Sequence, residues 1–132
     1  MQKPFGFSKD ERIKSKKATD QLFKEGKKFN VPGYKIQFLI EEDISNARRL
    51  SALRFGVGIS SRTFKKAVDR NRVKRLTREA WRLNKSGLNE MLKKQNIQMN
   101  VFFICTSKEV PDYKSVLENV KQALNKLLEK IK

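Results

Sequence analysis

The chain has 132 residues, with 31 Lys plus Arg against 14 Asp plus Glu, one cysteine, no histidine and a formal charge of +17. That length suits a single domain, expected over 1–132 with an irregular basic arm at 1–14, and the charge calls for a polyanionic partner. Without histidine, Ser-His-Asp and Cys-His catalysis are excluded, and with one cysteine so are ordinary zinc sites; any chemistry must come from carboxylates or from something other than this polypeptide.

The opening Met-Gln-Lys-Pro-Phe-Gly-Phe lacks the apolar core of a signal peptide, and no stretch reaches the roughly 18 apolar residues of a membrane span. A cytoplasmic location and no membrane partner are expected. Ser15 to Glu25 reads as a short helix with Ala18 and Leu22 inward and Gly26 as its stop. Pro32-Gly33 punctuates the entry to a strand, where Tyr34, Ile36, Phe38 and Ile40 alternate with Lys35, Gln37 and Leu39. Glu41-Glu42-Asp43 is the one acidic cluster, of a type that holds Mg²⁺ in nucleases. The strand period ends there, so it reads as part of a polar connection over 41–49.

A second strand, Leu53 to Ser60, sets Leu53, Phe55, Val57 and Ile59 against Arg54, Gly56, Gly58 and Ser60. The face carrying Gly56, Gly58 and Ser60 is nearly bare, open to close packing by a helix or to a ligand backbone lying on the sheet. After Ser61 the chain enters a helix that starts between Phe64 and Ala67 and runs to Leu83. On its wheel Val73, Leu76, Ala80 and Leu83 share an arc, and Arg70, Asn71, Lys74, Arg75, Arg78 and Arg82 spread over the rest. From Arg62 to Lys85 ten basic residues face two acids, Asp69 and Glu79. Such self-repulsion is relieved by a polyanion. Trp81, at the edge of the cationic arc, either closes the rim of the core or stacks on a base.

Ser86 is placed as the cap of a short helix carrying Leu88, Met91 and Leu92. Met99 to Thr106 is almost continuously apolar, which puts this strand at the centre of the sheet, and makes Cys105 a small buried hydrophobe. Pro111-Asp112 opens a final helix whose apolar stripe runs from Tyr113 to Ile131. These elements make an α+β fold of helices on a small sheet with three strands evident; the segments at 53 and 106 are able to pair in parallel.

Arg70-Asn71-Arg72-Val73-Lys74-Arg75 with Arg78-Glu79 behind and Ala67-Val68 ahead resembles the signature of the bacterial ribonuclease P protein component. Phe55-Gly56-Val57-Gly58-Ile59-Ser60 resembles the strand leading into that helix, and Leu22-Phe23-Lys24-Glu25-Gly26 the end of the family's first helix. The likeness extends over roughly residues 7 to 130. It implies a single-domain α-β-β-β-α-β-α sandwich with a left-handed β-α-β crossover, hence a fourth strand. It also implies a non-catalytic subunit of an endoribonuclease, a hydrolase in which a catalytic RNA with its own Mg²⁺ removes the 5′ leader of precursor tRNA. The protein would supply no catalytic residue or metal ligand, bind no cofactor or small-molecule substrate, and join the RNA one to one.

By the same resemblance Arg62, Lys65, Lys66, Arg70, Asn71, Arg72, Lys74, Arg75 and Arg78 would meet the catalytic RNA, with Asn71 donating to phosphate or capping local backbone. Phe23, Lys35 and Gln37 are candidates for the leader, in a cleft between the first helix and the sheet; Phe23 is equally a core residue. Thr19 stands where relatives often carry an aromatic ring, which shifts the expected leader contact from stacking toward charge. The rival reading is a ribosomal or other structural RNA-binding protein.

Overall fold

The computed structural model describes residues 13, 16–41, 52–59, 64–107 and 109–131. In chain order they form α1 (Lys16–Glu25), β1 (Lys27–Val31), β2 (Tyr34–Glu41), β3 (Leu53–Ile59), α2 (Ala67–Asn84), α3 (Ser86–Gln95), β4 (Gln98–Cys105) and α4 (Tyr113–Ile131). The sheet order is β1-β2-β4-β3. The most apolar strand, β4, is therefore interior, antiparallel to β2 and parallel to β3, as its unbroken apolar run requires. The link from β3 to β4 passes through α2 and α3, the long crossover that parallel strands need.

β1 is the strand that periodicity did not reveal. Its Lys27-Lys28-Phe29-Asn30-Val31 has lysines and Asn30 exposed, and it exists by pairing along β2 from Lys27↔Phe38 to Val31↔Tyr34. Pro32-Gly33 is accordingly a two-residue hairpin turn, and Gly33 takes the positive φ of 82° that the third position of a Pro-Gly turn demands. Lysines on this edge strand discourage pairing with another chain.

Two boundaries move. The basic helix begins at Ala67 and ends at Asn84. Ser86 is the first residue of α3 and not its cap: the cap position is Lys85, itself in the helical region (φ −76°, ψ −16°) with no side-chain capping bond. With one residue between α2 and α3, the chain has no extended position from which a hydroxyl could cap. Asp112 does cap, its Oδ1 accepting the Ser115 N–H at 2.9 Å. The Ser115 side chain first, and then this backbone N–H, hold the Asp112 carboxyl below its ordinary range by hydrogen bonding to its charged form.

The core lies on one face of the sheet. Tyr34, Ile36 and Phe38, Leu53, Phe55 and Val57, and Val101, Phe103 and Cys105 meet α2 and the stripe of α4 through Val116, Val120, Ala123, Leu124, Leu127 and Ile131. Burial pushes the Cys105 thiol up, away from the reactive thiolate. On the opposite face α1 packs along β2, burying Leu22 outside the main core cluster. A side chain at Gly26 would collide with the carbonyl oxygen of Leu22 and come 2.9 Å from that of Phe38. Glycine lets helix and strand close on each other there.

Glycines 56 and 58 turn out to accommodate neither a helix nor an open ligand floor. The ring of Phe102, from the neighbouring strand, lies across both: a Cβ would come within 2.7 Å of it at Gly56 and 3.0 Å at Gly58. Ser60 and the connection containing Glu42 and Asp43 lie outside the described residues, as do 1–12 of the arm. Ile13, the described residue of that arm, donates its N–H to the carbonyl of Phe55 on the outer edge of β3 at 3.2 Å.

Candidate nucleic-acid interface

The buried side of α2 consists of Val73, Thr77, Ala80 and Trp81. Leu76 is half-buried and Leu83 is 41% exposed, so the packed arc is rotated by ~60° from the one drawn through Val73, Leu76, Ala80 and Leu83. Two contacts explain the rotation. Trp81, 1% exposed, stacks on Phe55 (centroids 4.4 Å apart, planes at 14°) and meets Phe103 edge-on. It is a central core residue and neither a rim nor a base platform. Thr77 is polar but fully satisfied: its hydroxyl donates to the Val73 carbonyl at 2.8 Å and lies 2.6 Å from the Tyr34 hydroxyl. Its one proton being engaged, Tyr34 is the donor between them. Burial pushes the Tyr34 phenol up to about 12.

With that side packed, Asn71, Arg72, Arg75 and Arg78 face solvent together with Lys65 and Lys66 just ahead of the helix. Lys74 is half-buried on the flank. One of the two acids, Glu79, pairs with Arg82 one turn on, so it does little to cancel the other cations. Arg70 is different: half-buried, it donates from Nη1 to the carbonyls of Phe64 at 2.7 Å and Lys65 at 2.9 Å. Arg62 lies outside the described residues. The exposed guanidinium groups offer forked donors matched to phosphate oxygens.

A second surface lies across the sheet, beside α1. Phe23 is 37% exposed and sets its ring edge-to-face on Phe102, 5.2 Å away at 76°. Register aligns Lys28, Gln37, Phe102 and Gly56 in one row, and Asn30, Lys35, Ile104 and Gly58 in the next. Lys35 is half-buried; Gln37 is only 5% exposed, with no partner for its Oε1 among the described residues. Sequence reasoning missed two members of this surface. Lys28 sits on the unrecognised strand, and Phe102 looked like one more residue of an apolar run, although the paired glycines of β3 signalled that something large must cover them.

The model of the Ribonuclease P family matches residues 7–132. The chain belongs to the ribonuclease P protein family. It is 35% identical over 120 residues to the ribonuclease P protein component of Porphyromonas gingivalis, a span covering 91% of this chain and 85% of that relative. The fold is that of the solved ribonuclease P proteins. With the protein from Thermotoga maritima the TM-score is 0.66 at 24% identity, covering 88% of this chain and 96% of that one. With the Staphylococcus aureus protein it is 0.59 at 19%, covering 92% and 95%. The four-stranded sheet and its helices thus match the ribonuclease P protein architecture, including the fourth strand expected from the resemblance.

Proposed function

We propose that this chain is the protein subunit of ribonuclease P, acting in the cytoplasm as one copy on one catalytic RNA that cleaves the 5′ leader from precursor tRNA. The cationic side of α2, with Lys65, Lys66, Asn71, Arg72, Lys74, Arg75 and Arg78, holds phosphates of the catalytic RNA. The surface beside α1 takes the single-stranded leader, with the Phe23–Phe102 ring pair for stacking and Lys35 for charge, while Gln37 lies buried in the same row as Phe102. The RNA with its Mg²⁺ performs the hydrolysis; the protein's part is to neutralise phosphate repulsion and to hold the substrate.

The observation that carries this reading is the two-sidedness of α2, one side locked into the core by Trp81 and Thr77 and the other crowded with exposed cations. Reconstitution tests it. Added to a bacterial ribonuclease P RNA at low Mg²⁺, the protein is expected to restore 5′ processing of precursor tRNA, and alone to cleave nothing. A structural RNA-binding protein without part in cleavage would give no rescue.

A further inference from the structure

On a wheel of 100° per residue Arg70 falls between Thr77 and Trp81, on the packed side of α2, and not with Asn71, Arg72 and Arg75. A cation near the start of a helix is opposed by the positive end of the macrodipole, so a guanidinium there needs acceptors close at hand. Its two acceptors, the carbonyls of Phe64 and Lys65, belong to the peptide planes on either side of Lys65. The Phe64 ring is itself buried in the core. α2 has no side-chain cap: its cap residue, Lys66, is extended at φ −84°, ψ 127°. The usual device for fixing a helix entry is missing, and Arg70 occupies its place from inside the helix.

We propose that Arg70 is a positioning residue and not a phosphate ligand: it braces both peptide planes of Lys65, so that Lys65 and Lys66 project beside Arg72 and Arg75 as one continuous cationic surface. This rests on the reading of α2 as the surface that grips RNA. It divides the Arg-Asn-Arg run into a residue that shapes the site and residues that contact the partner. Both bonds come from Nη1, and lysine ends one atom short of that position without the planar guanidinium to hold it, so R70K is expected to weaken the brace while keeping the charge.

The test is binding of the full-length protein to in vitro transcribed ribonuclease P RNA across a salt series, with thermal unfolding to verify that each variant is folded. R70K keeps the charge, yet it is expected to weaken binding by about 10-fold or more at 0.1 M salt and to flatten the slope of log K against log salt by about 1.5, as for two lost phosphate contacts. In a K65A/K66A background the same R70K change is expected to cost less than about 2-fold, because the cations it positions are already gone. Parent-like binding by R70K, or an equal loss in both backgrounds, overturns the brace. K65A/K66A alters only exposed side chains, so if it leaves the slope unchanged the proposal also fails, even should R70K not fold. If R72A/R75A binds like the parent, the underlying reading of α2 fails and the brace with it; if R72A/R75A weakens binding and R70K does not, only the brace fails.

Discussion

Tyr34 on β2 donates its phenolic hydrogen to Thr77 on α2 across 2.6 Å of buried interface, and Thr77 passes its own to the carbonyl of Val73. This chain of two hydrogen bonds is a buried polar tie between sheet and cationic helix, and together with the Trp81–Phe55 stack it sets which residues of α2 face the solvent. Removing one partner leaves the other stranded. Thr77→Val, which keeps the volume, is expected to lower unfolding free energy by about 1–3 kcal/mol, because the Tyr34 hydroxyl loses its acceptor in a buried site. Tyr34→Phe combined with Thr77→Val should recover much of that loss. Urea unfolding with unchanged m-values reads both; a double variant no more stable than Thr77→Val alone would count against a coupled pair.

The same tie gives stability a defined alkaline dependence. Tyr34 titrates at about 12 in the folded chain against an ordinary 10.0, the first cause being burial. Between these values the unfolded state has released the proton and the folded state has not, so the contribution is whole below pH 10 and lost as pH rises toward 12. Difference absorbance of a Tyr113→Phe variant isolates the Tyr34 phenolate. Its appearance near pH 10 while the protein is still folded would contradict the buried donor.

Gly56→Ala is expected to be destabilising by about 1–3 kcal/mol despite alanine's lower backbone entropy, since its Cβ meets the Phe102 ring at 2.7 Å. Adding Phe102→Leu should return part of the loss. The ring cannot move without disturbing its partner Phe23, so Gly56→Ala should also weaken binding of a single-stranded leader oligonucleotide, measured by fluorescence anisotropy. Thermal unfolding equal to the parent's would show that the ring tolerates the methyl.

Arg72→Ala with Arg75→Ala removes two exposed guanidinium groups without touching the core. Affinity for ribonuclease P RNA is expected to fall, with the salt slope reduced by about 1.5 to 2. Lys35→Ala and Lys28→Ala, on the other side of the sheet, should instead reduce the preference for precursor over mature tRNA. Equal effects of the two sets on both measurements would mean one binding surface and not two.

The sequence by itself determined the features in which a residue's fate depends on its own element. Alternation from Tyr34 to Ile40 marks one face of β2, the unbroken apolar run of β4 makes it interior, the 3.6-residue stripe of α4 is core, and the crowding of cations from Arg62 to Lys85 calls for a polyanion. Only the tertiary structure decided the rest. β1 exists because β2 supplies its hydrogen bonds, not because Lys27 to Val31 favours a strand. Thr77 is buried because Tyr34 satisfies it, Trp81 is central because Phe55 lies flat against it, and Arg70 turns inward because two carbonyls await it. The bare side of Gly56 and Gly58 is filled by Phe102, more than forty residues further along the chain. Periodicity reports that a face is covered; which atom covers it is set by contacts between residues far apart in the chain, whose register and side-chain directions no local pattern carries.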